Sequence, residues 1–568
     1  MFGLFASLFL LAFVLRAYHP VGRTDKKLER ARVFTNELLR GHWVGTYRQP
    51  HPGVTMMTAS GLTVQLYQYL DGSPAQELLS WAVPSFVTDF GERMAIGVFG
   101  LAIVLAALIV AIALTLRKMA GLRLALAGTG LLTFSPFYLA QSRIVQSDAL
   151  LGTFMLLSAL LLLACLQTGQ RWYLLLSGFA GGLALLSKSP ALFLLPYSAL
   201  ALLVHLALRV RDERATYAEG GIRRLLGEAG KDLLVPLALW VILAASAFAL
   251  WPAMWARPVD TLARVFAFAE TTVARPHQHQ MFFLGRVYTG TNLGILYYPI
   301  TIAFNSTFIT TTLCVVAIGH YTLWRKRVTP PLRPHYALPD YLMLELIAAV
   351  GLVGLADIVG EAMATVRPRL GQTLPGAMIG VGLGLQALVA LPFAPDYGAH
   401  HNYLLGGNRV AVQMVQVGDR NEGMLHIARY LHLQEDLESK SLSTAFPLNE
   451  SVIQYFPGIT EYGGLAGMDY FLFSRAMLQR RIATENWEPA WERYRDQTPQ
   501  AVVRFDGVDY LWLYASKPAE SGPPVAIERG WNGFIVVAWL WTAGLVAVLA
   551  WALRRDPPQH ASTVESAV

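Results

Sequence analysis

The run MAIGVFGLAIVLAALIVAIALTL at residues 94–116, closed by Arg117 and Lys118, decides the fold class. It holds 23 residues without a charge, and a helix needs about 20 such residues to cross the hydrocarbon core of a bilayer. Further runs of this kind lie at 1–18, 122–140, 147–167, 171–187, 189–208, 233–251, 300–324, 341–360, 371–392 and 531–553. Across the 568 residues, 54% are hydrophobic and 15% charged, and mean hydropathy is +0.42. Soluble domains carry nearer a quarter charged residues. The expected fold is therefore a polytopic α-helical membrane protein with about ten or eleven transmembrane helices. The opening run 1–18 has no basic leader and no small-residue cleavage site, and reads as a retained span.

The net charge of +7 calls for no nucleic acid, because the basic residues cluster between apolar runs, as in cytoplasmic loops. One cluster is Arg117, Lys118 and Arg123; a second is Arg209, Arg211, Arg214, Arg223, Arg224 and Lys231; a third is Arg325, Lys326, Arg327 and Arg333. Placing all three inside puts the N-terminus inside and segments 19–93, 141–146, 188 and 252–299 outside. Arg554 and Arg555 place the end of the last span inside and so the polar region 393–530 outside. That parity leaves 341–360, which carries Glu345 and Asp357 and is followed by Glu361, as a hairpin or interfacial segment. Its crossing, with 393–530 inside, is the alternative. Cys165 and Cys314 lie in apolar runs and form no disulfide framework.

Five regions follow. Residues 1–254 form a membrane module whose first outer loop is 19–93. Residues 255–392 hold an outer loop and a variable membrane module. Residues 393–530 form a small α/β module outside the membrane, 531–553 the last span, and 554–568 a polar tail. In the first loop, Asp25 to Arg40 has helical spacing and reads as a surface helix, with a second starting after Pro52. In the α/β module, Arg409 to Leu433 reads as a helix. Asp469-Tyr-Phe-Leu-Phe473 and Asp509-Tyr-Leu-Trp-Leu-Tyr514 read as buried strands.

Polar residues at span ends are the candidates for chemistry. Asp25 follows the first span. His51 sits in the turn Gln49-Pro-His-Pro-Gly53. Arg143 and Asp148 bound Ser142-Arg-Ile-Val-Gln-Ser-Asp148, and Lys188 interrupts Leu186-Ser-Lys-Ser-Pro190. All fall on the outer side, where convergence argues against separate snorkelling or capping roles. The loop Arg275-Pro-His-Gln-His-Gln-Met-Phe-Phe-Leu-Gly-Arg286 adds two arginine forks suited to phosphate. His277 and His279 are the one candidate pair for a divalent metal; no cofactor is otherwise expected. The aromatic run before Pro299 is explained by interfacial anchoring.

In this order and spacing, the chain resembles the type C glycosyltransferases of the protein O-mannosyltransferase and lipid A aminoarabinose transferase kind. The features are Asp25 after the first span, Arg40-Gly41 and His51-Pro52, Arg143 through Asp148, Gly181-Gly-Leu-Ala-Leu-Leu-Ser-Lys188, Phe282-Phe-Leu-Gly-Arg286 and Leu404-Leu-Gly-Gly407. The resemblance implies an inverting membrane glycosyltransferase of the plasma membrane, bacterial inner membrane in a bacterium. It implies an outer cavity for a polyprenyl-phosphate-linked sugar donor and an acceptor that is protein, lipid or glycan. Asp25 would be the general base and Asp148 a second acidic residue. Lys188, Arg275 and Arg286 would face the carrier phosphate, with Arg143 in support and His51 beside them. The chain departs from the family at Lys26, where a glutamate commonly follows the aspartate; Glu29, one turn on, is the reserve carboxylate. The aromatic-proline segment is poorly matched by Arg367-Pro-Arg-Leu370. The tryptophan-containing Gly-rich motif reads Gly418-Asp-Arg-Asn-Glu-Gly423. A transporter or flippase for anionic lipid is the competing class, but it should show internal two-fold similarity, which the sequence lacks. A catalytically inactive binding protein for glycosylated lipid is the third.

Overall fold

A computed structural model describes residues 1–19, 25–81, 83–212, 234–274, 280–289, 293–324, 341–433, 436–445, 449–463, 467–516 and 524–554. Each apolar run expected to span becomes helix. Among the described residues, five helices, or six with one bent pair, are long and apolar enough to cross a membrane unaided. The five are Asp89–Thr133, Asp148–Thr168, Ser189–Arg209, Tyr341–Ala364 and Pro368–Phe393. The bent pair, Tyr297–Asn305 with Phe308–Gly319, turns by 116° at its break. Four apolar helices are shorter: Phe2–Ala17, Trp172–Ser187, Leu234–Leu250 and Phe534–Val548. At 1.5 Å per residue, a 17-residue helix is about 25 Å long, short of the ~30 Å core. The number of helices meeting the length criterion is thus lower than the ten or eleven runs in the sequence.

The 45-residue helix Asp89–Thr133 is two arms, broken at Gly121 with φ +86°, a backbone conformation that glycine adopts without strain. Leu116 lies 3.4 Å from the place a Cβ on Gly128 would take. Residues twelve apart on a straight helix would be about 18 Å apart, so the second arm folds back on the first. Glycines set other approaches. A Cβ on Gly178 or Gly182 would lie 2.6 Å from Ile242 or Ser246, so helix Trp172–Ser187 sits directly on Leu234–Leu250.

Segment 341–360, expected as a hairpin or interfacial segment, is instead part of one continuous helix, Tyr341–Ala364. Its ends lie at opposite ends of the bundle. The Tyr341 hydroxyl donates to the Asn305 carbonyl (2.6 Å) and its ring lies 4.3 Å from that of Phe137. At the other end Arg123 pairs with Asp357 at 2.9 Å. Glu345 is fully buried and accepts from Thr310 (2.9 Å). Thr307 meets Gln386 (2.8 Å). This chain of short polar side chains lets an apolar helix carry a carboxylate that would otherwise cost several kcal/mol in hydrocarbon.

The expected surface helices of the first loop are present as Asp25–Leu39 and Val54–Tyr69. The expected helix 409–433 is two, Gly407–Met414 and Met424–His432. Gly418 and Gly423 between them have φ of +72° and +92°, and Val415 bridges to Phe283. The soluble module is built on a six-stranded sheet of order β4-β3-β5-β7-β6-β8. Its strands are β3 (Ser441–Thr444), β4 (Ile459–Tyr462), β5 (Tyr470–Ser474), β6 (Ala501–Phe505), β7 (Val508–Ala515) and β8 (Val525–Arg529). β5 and β7 are the two strands expected from sequence. A separate hairpin, β1 (Met281–Phe283) with β2 (Arg286–Tyr288), precedes them. The module seats on the start of Asp89–Thr133, where the Thr88 amide donates to the Gln454 carbonyl (2.9 Å).

The module therefore marks one end of the bundle, and Lys118, Arg123 and Asp357 mark the other. Helix Tyr341–Ala364 runs in the same direction as Phe308–Trp324, since Thr310 meets Glu345 and Leu313 faces Gly351. Its crossing therefore keeps the module at the end away from the basic residues 117–123 and does not bring it inside. Cysteine at Thr498, an exposed module position, should react with an impermeant thiol reagent applied to intact cells. Cysteine at Lys118 should react only after permeabilisation. The reverse pattern would invert the orientation of the whole bundle.

Candidate functional site

Asp148 is the first residue of helix Asp148–Thr168, where the helix dipole favours a carboxylate. Lys188 follows helix Trp172–Ser187 in extended backbone (φ −167°, ψ 148°) and leads into the short 3₁₀ turn Ser189–Phe193. Its ammonium donates to Asp148 Oδ1 at 2.8 Å, with both side chains about a third exposed (34% and 31%). The neighbours of Lys188 tie this point to the first loop. Ser187 Oγ meets Thr55 Oγ1 at 2.6 Å, and Ser189 Oγ meets His51 Nδ1 at 3.3 Å. The His51 ring packs edge-on against Phe268, 4.8 Å between centroids. Three residues expected from sequence, His51, Asp148 and Lys188, thus converge.

Beside the pair opens a cavity of about 540 Å³. Leu151, Met155, Phe193, Tyr197, Leu200 and Met343 wall it, and among the described lining residues Asp148 alone is charged. Phe193 and Leu200 are exposed at its edge, so the cavity opens sideways where a membrane helix would face lipid. An apolar slot lined by Asp148, whose carboxylate is paired with Lys188, has the shape and polarity to take an alkyl chain with a charged head.

The other expected residues lie apart from this pair or outside description. Asp25 begins helix Asp25–Leu39; its side chain lies outside the described residues, as do Arg275, His277 and His279. Glu29 is exposed and takes both Nε and Nη2 of Arg32 (2.9 and 2.7 Å), which hold its carboxyl below the usual range. Arg286 is exposed on β2. Among the described residues no group of three His, Cys, Asp or Glu is placed to hold a metal ion.

Arg143 is buried, and its fork is engaged. Nη1 donates to the Leu15 carbonyl (2.5 Å), Nη2 to those of Tyr18 (2.6 Å) and His19 (2.5 Å). The guanidinium also lies over the Tyr397 ring, 5.3 Å from its centroid. Burial depresses its pKa, and Tyr397 and Asp396 counteract that. Next to it sits a buried charged joint that sequence reasoning missed. Asp396 accepts from the Gly423 amide (2.9 Å) and faces His426 Nε2 at 3.2 Å. Glu422 accepts from the Arg420 amide (3.0 Å). Arg143, Asp396, Tyr397, Arg420 and Glu422 line a void of about 20 Å³, roughly the room of one water molecule. Arg16, fully buried and 4.7 Å over the Tyr138 ring, was missed as well. A lone arginine near the end of an apolar run was the available signal.

Burial pushes the Glu422 carboxyl up to about 7, against the opposing pull of Arg420, and the Asp506 carboxyl up to about 6. An acid with a raised folded-state pKa stabilises below its unfolded pKa, and that contribution is lost as pH rises through the folded value. Thermal stability should therefore fall as pH rises from about 4.5 to about 7, the interval between the ordinary and the raised Glu422 values. Glu422→Gln should remove most of that fall in thermal melts, because glutamine stays neutral throughout. An unchanged slope in the variant would show that Glu422 is ionised at neutral pH.

Residues 78–225 match the family described as dolichyl-phosphate-mannose-protein mannosyltransferase. A search of curated protein sequences finds no match. Among solved structures, the chain is similar to ArnT from Cupriavidus metallidurans bound to undecaprenyl phosphate. There the identity is 14%, the coverage 91% of this chain and 99% of that one, and the TM-score 0.43. It is also similar to the Archaeoglobus fulgidus oligosaccharyltransferase tethered to an acceptor peptide. That match has 11% identity, covers 91% of this chain and 74% of that one, and has a TM-score of 0.39. The matched segment runs from the end of the first loop past Arg143, Asp148 and Lys188, and it is over this part that the multi-pass membrane protein is similar to that family.

Proposed function

We propose that the chain transfers a sugar from a polyprenyl-phosphate carrier to an acceptor at the module end of the bundle, outside the cytoplasm, in the inner membrane of a bacterium. The observation that carries this reading is the pairing of Lys188 with Asp148, which lines the apolar cavity. The cavity suits the isoprenoid chain. Lys188 supplies the cation that a leaving lipid phosphate needs. The pair is partly exposed, so exchanging Asp148 for a phosphate as the ammonium's partner costs little. The family matched by residues 78–225 is described by a donor of this chemical class, dolichyl-phosphate-mannose.

The reaction is written as inversion at the anomeric carbon. A carboxylate takes the proton of the acceptor's nucleophile; that atom bonds to the anomeric carbon; the bond from this carbon to the phosphate oxygen breaks. Polyprenyl phosphate leaves with its electron pair. Asp25 is the proposed base, at the first turn of the surface helix that the Arg30–Gln49 hydrogen bond (2.7 Å) ties to the His51 turn. Asp148 holds Lys188 in place. Arg275 and Arg286 are further proposed phosphate contacts, at the two ends of their loop. Glu29, already paired with Arg32, is the reserve base. The identity of the sugar and of the acceptor is left to assay.

Release of polyprenyl phosphate by the purified protein tests the reading directly; transport of the intact donor without release would make the chain a flippase. Lys188→Gln should raise the donor concentration for half-maximal rate by about tenfold or more, since a charge-assisted hydrogen bond is worth roughly 1.5–3 kcal/mol. Unchanged donor dependence would remove Lys188 from the phosphate site.

Asp25→Asn should lower turnover about a hundredfold or more with little change in donor binding. If Asp25 only caps its helix, asparagine serves nearly as well and activity stays near normal. Glu29→Gln belongs in the same assay, because loss there with an active Asp25→Asn would move the base one turn along the helix.

A further inference from the structure

A second cavity, of about 590 Å³, opens at the end of the bundle away from the module. Three helical segments meet there, and among the described residues their lining is mostly glycine and aliphatic side chains, with charges from Arg123, Asp357 and Glu361. One wall is the turn at Gly121, where the arm of Asp89–Thr133 reverses with φ +86° and nothing lies within 4 Å of a Cβ placed on it. The facing wall is helix Tyr341–Ala364, which presents Val350, Val353 and Gly354, with Gly371 and Pro375 of helix Pro368–Ala390 beside it. The interior is apolar. The rim is charged with both signs: Arg123 pairs with Asp357 at 2.9 Å, with side chains half exposed, and Glu361 stands one turn further along the helix.

We propose that this cavity binds a membrane phospholipid whose headgroup carries both a phosphate and a primary ammonium. An apolar throat at the end of a membrane bundle suits an acyl chain. At the rim, Arg123 donates to the phosphate, and Asp357 and Glu361 accept from the ammonium. The Arg123–Asp357 pair is solvated enough to open at small cost. The remaining chemistry of the rim selects the headgroup. A purely anionic lipid meets two carboxylates. A quaternary ammonium has no N–H to donate, and none of the described lining residues is aromatic, to take it by cation–π contact. The site lies at the opposite end of the bundle from Lys188 and does not depend on the transferase reading.

The test uses the full chain purified in detergent, stripped of lipid, and loaded with an equimolar mixture of dioleoyl phosphatidylethanolamine, phosphatidylcholine and phosphatidylglycerol. Retained lipid is counted by native mass spectrometry. The wild type should retain phosphatidylethanolamine about tenfold over the other two, the size of one charge-assisted hydrogen bond. Gly354→Leu, which fills the throat, should lose that retention. Glu361→Gln, at an exposed side chain, should reduce the preference for ethanolamine over choline without changing the melting temperature. Asp357→Asn should reduce it further. Equal retention of the three lipids by the wild type overturns the proposal, as does a preference that survives both Gly354→Leu and Glu361→Gln. Preferred retention of phosphatidylglycerol overturns the assignment of the headgroup.

Discussion

The grip of Arg143 on the end of the first helix is the constraint around which the module end is arranged. A buried guanidinium must find acceptors, since an unpaired charge in a low-dielectric interior costs several kcal/mol. The last carbonyls of a helix are acceptors left over by the helix itself. Arg143 takes three carbonyls from Leu15, Tyr18 and His19, and each need answers the other. The loop between the helices ending at Thr133 and beginning at Asp148 is thereby fixed to the first helix. Tyr397 lies against the same guanidinium, and its neighbour Asp396 reaches the Gly423 amide. One side chain thus joins the first helix, the loop before Asp148 and the entry to the module. The start of the first loop, the Lys188–Asp148 pair and the module cannot shift independently of this joint.

Much of the site was legible because a membrane makes its polar residues conspicuous. Asp148, Lys188 and His51 stand at span ends, where a charge has few cheap explanations, and the fold brings them together. Arg143 was legible as a polar residue but its partners were not: a sequence shows a guanidinium's charge, and not whether its acceptors are phosphate oxygens or backbone carbonyls. The module's joint was hidden for a different reason. Asp396, Glu422 and His426 sit in a segment of ordinary mixed polarity, where nothing in the local pattern marks them as buried. Only the tertiary packing of Tyr397 and Tyr455 around them does so.

The fold shows the same division. Apolar runs translated directly into helices, and the short buried runs around Phe471 and Leu511 into β5 and β7. The expected single helix 409–433 failed because Gly418 and Gly423 take positive φ, which ends regular helix whatever the flanking periodicity. The expectation of a hairpin or interfacial segment at 341–360 rested on loop parity and on a count of charge. Counting Glu345 and Asp357 as costs to a crossing helix assumed that they met lipid. Glu345 instead meets Thr310 inside the bundle, and Asp357 meets Arg123 at its end. A carboxylate argues against a span only while its partners are unknown.

Those partners also explain how an apolar bundle keeps a defined register. Helices that differ only in which aliphatic face they show can slide or rotate at little cost, because lipid competes equally for every such face. Polar contacts remove that freedom. Glu345 with Thr310 sets Tyr341–Ala364 against Phe308–Trp324, Gln386 with Thr307 adds Pro368–Ala390, and Trp541 donating to Thr312 at 3.0 Å adds the last helix. Close glycine contacts act in the same direction: a Cβ on Gly351 would lie 2.1 Å from the Leu313 carbonyl oxygen, so only a glycine lets those two helices approach at that level. The helix that these contacts hold presents Met343 to the cavity beside Asp148 at one end and Gly354 to the cavity beside Arg123 at the other. The shapes of both cavities are therefore set by the same internal hydrogen bonds, and a change at Thr310 or Gln386 acts on each end of the bundle without touching either.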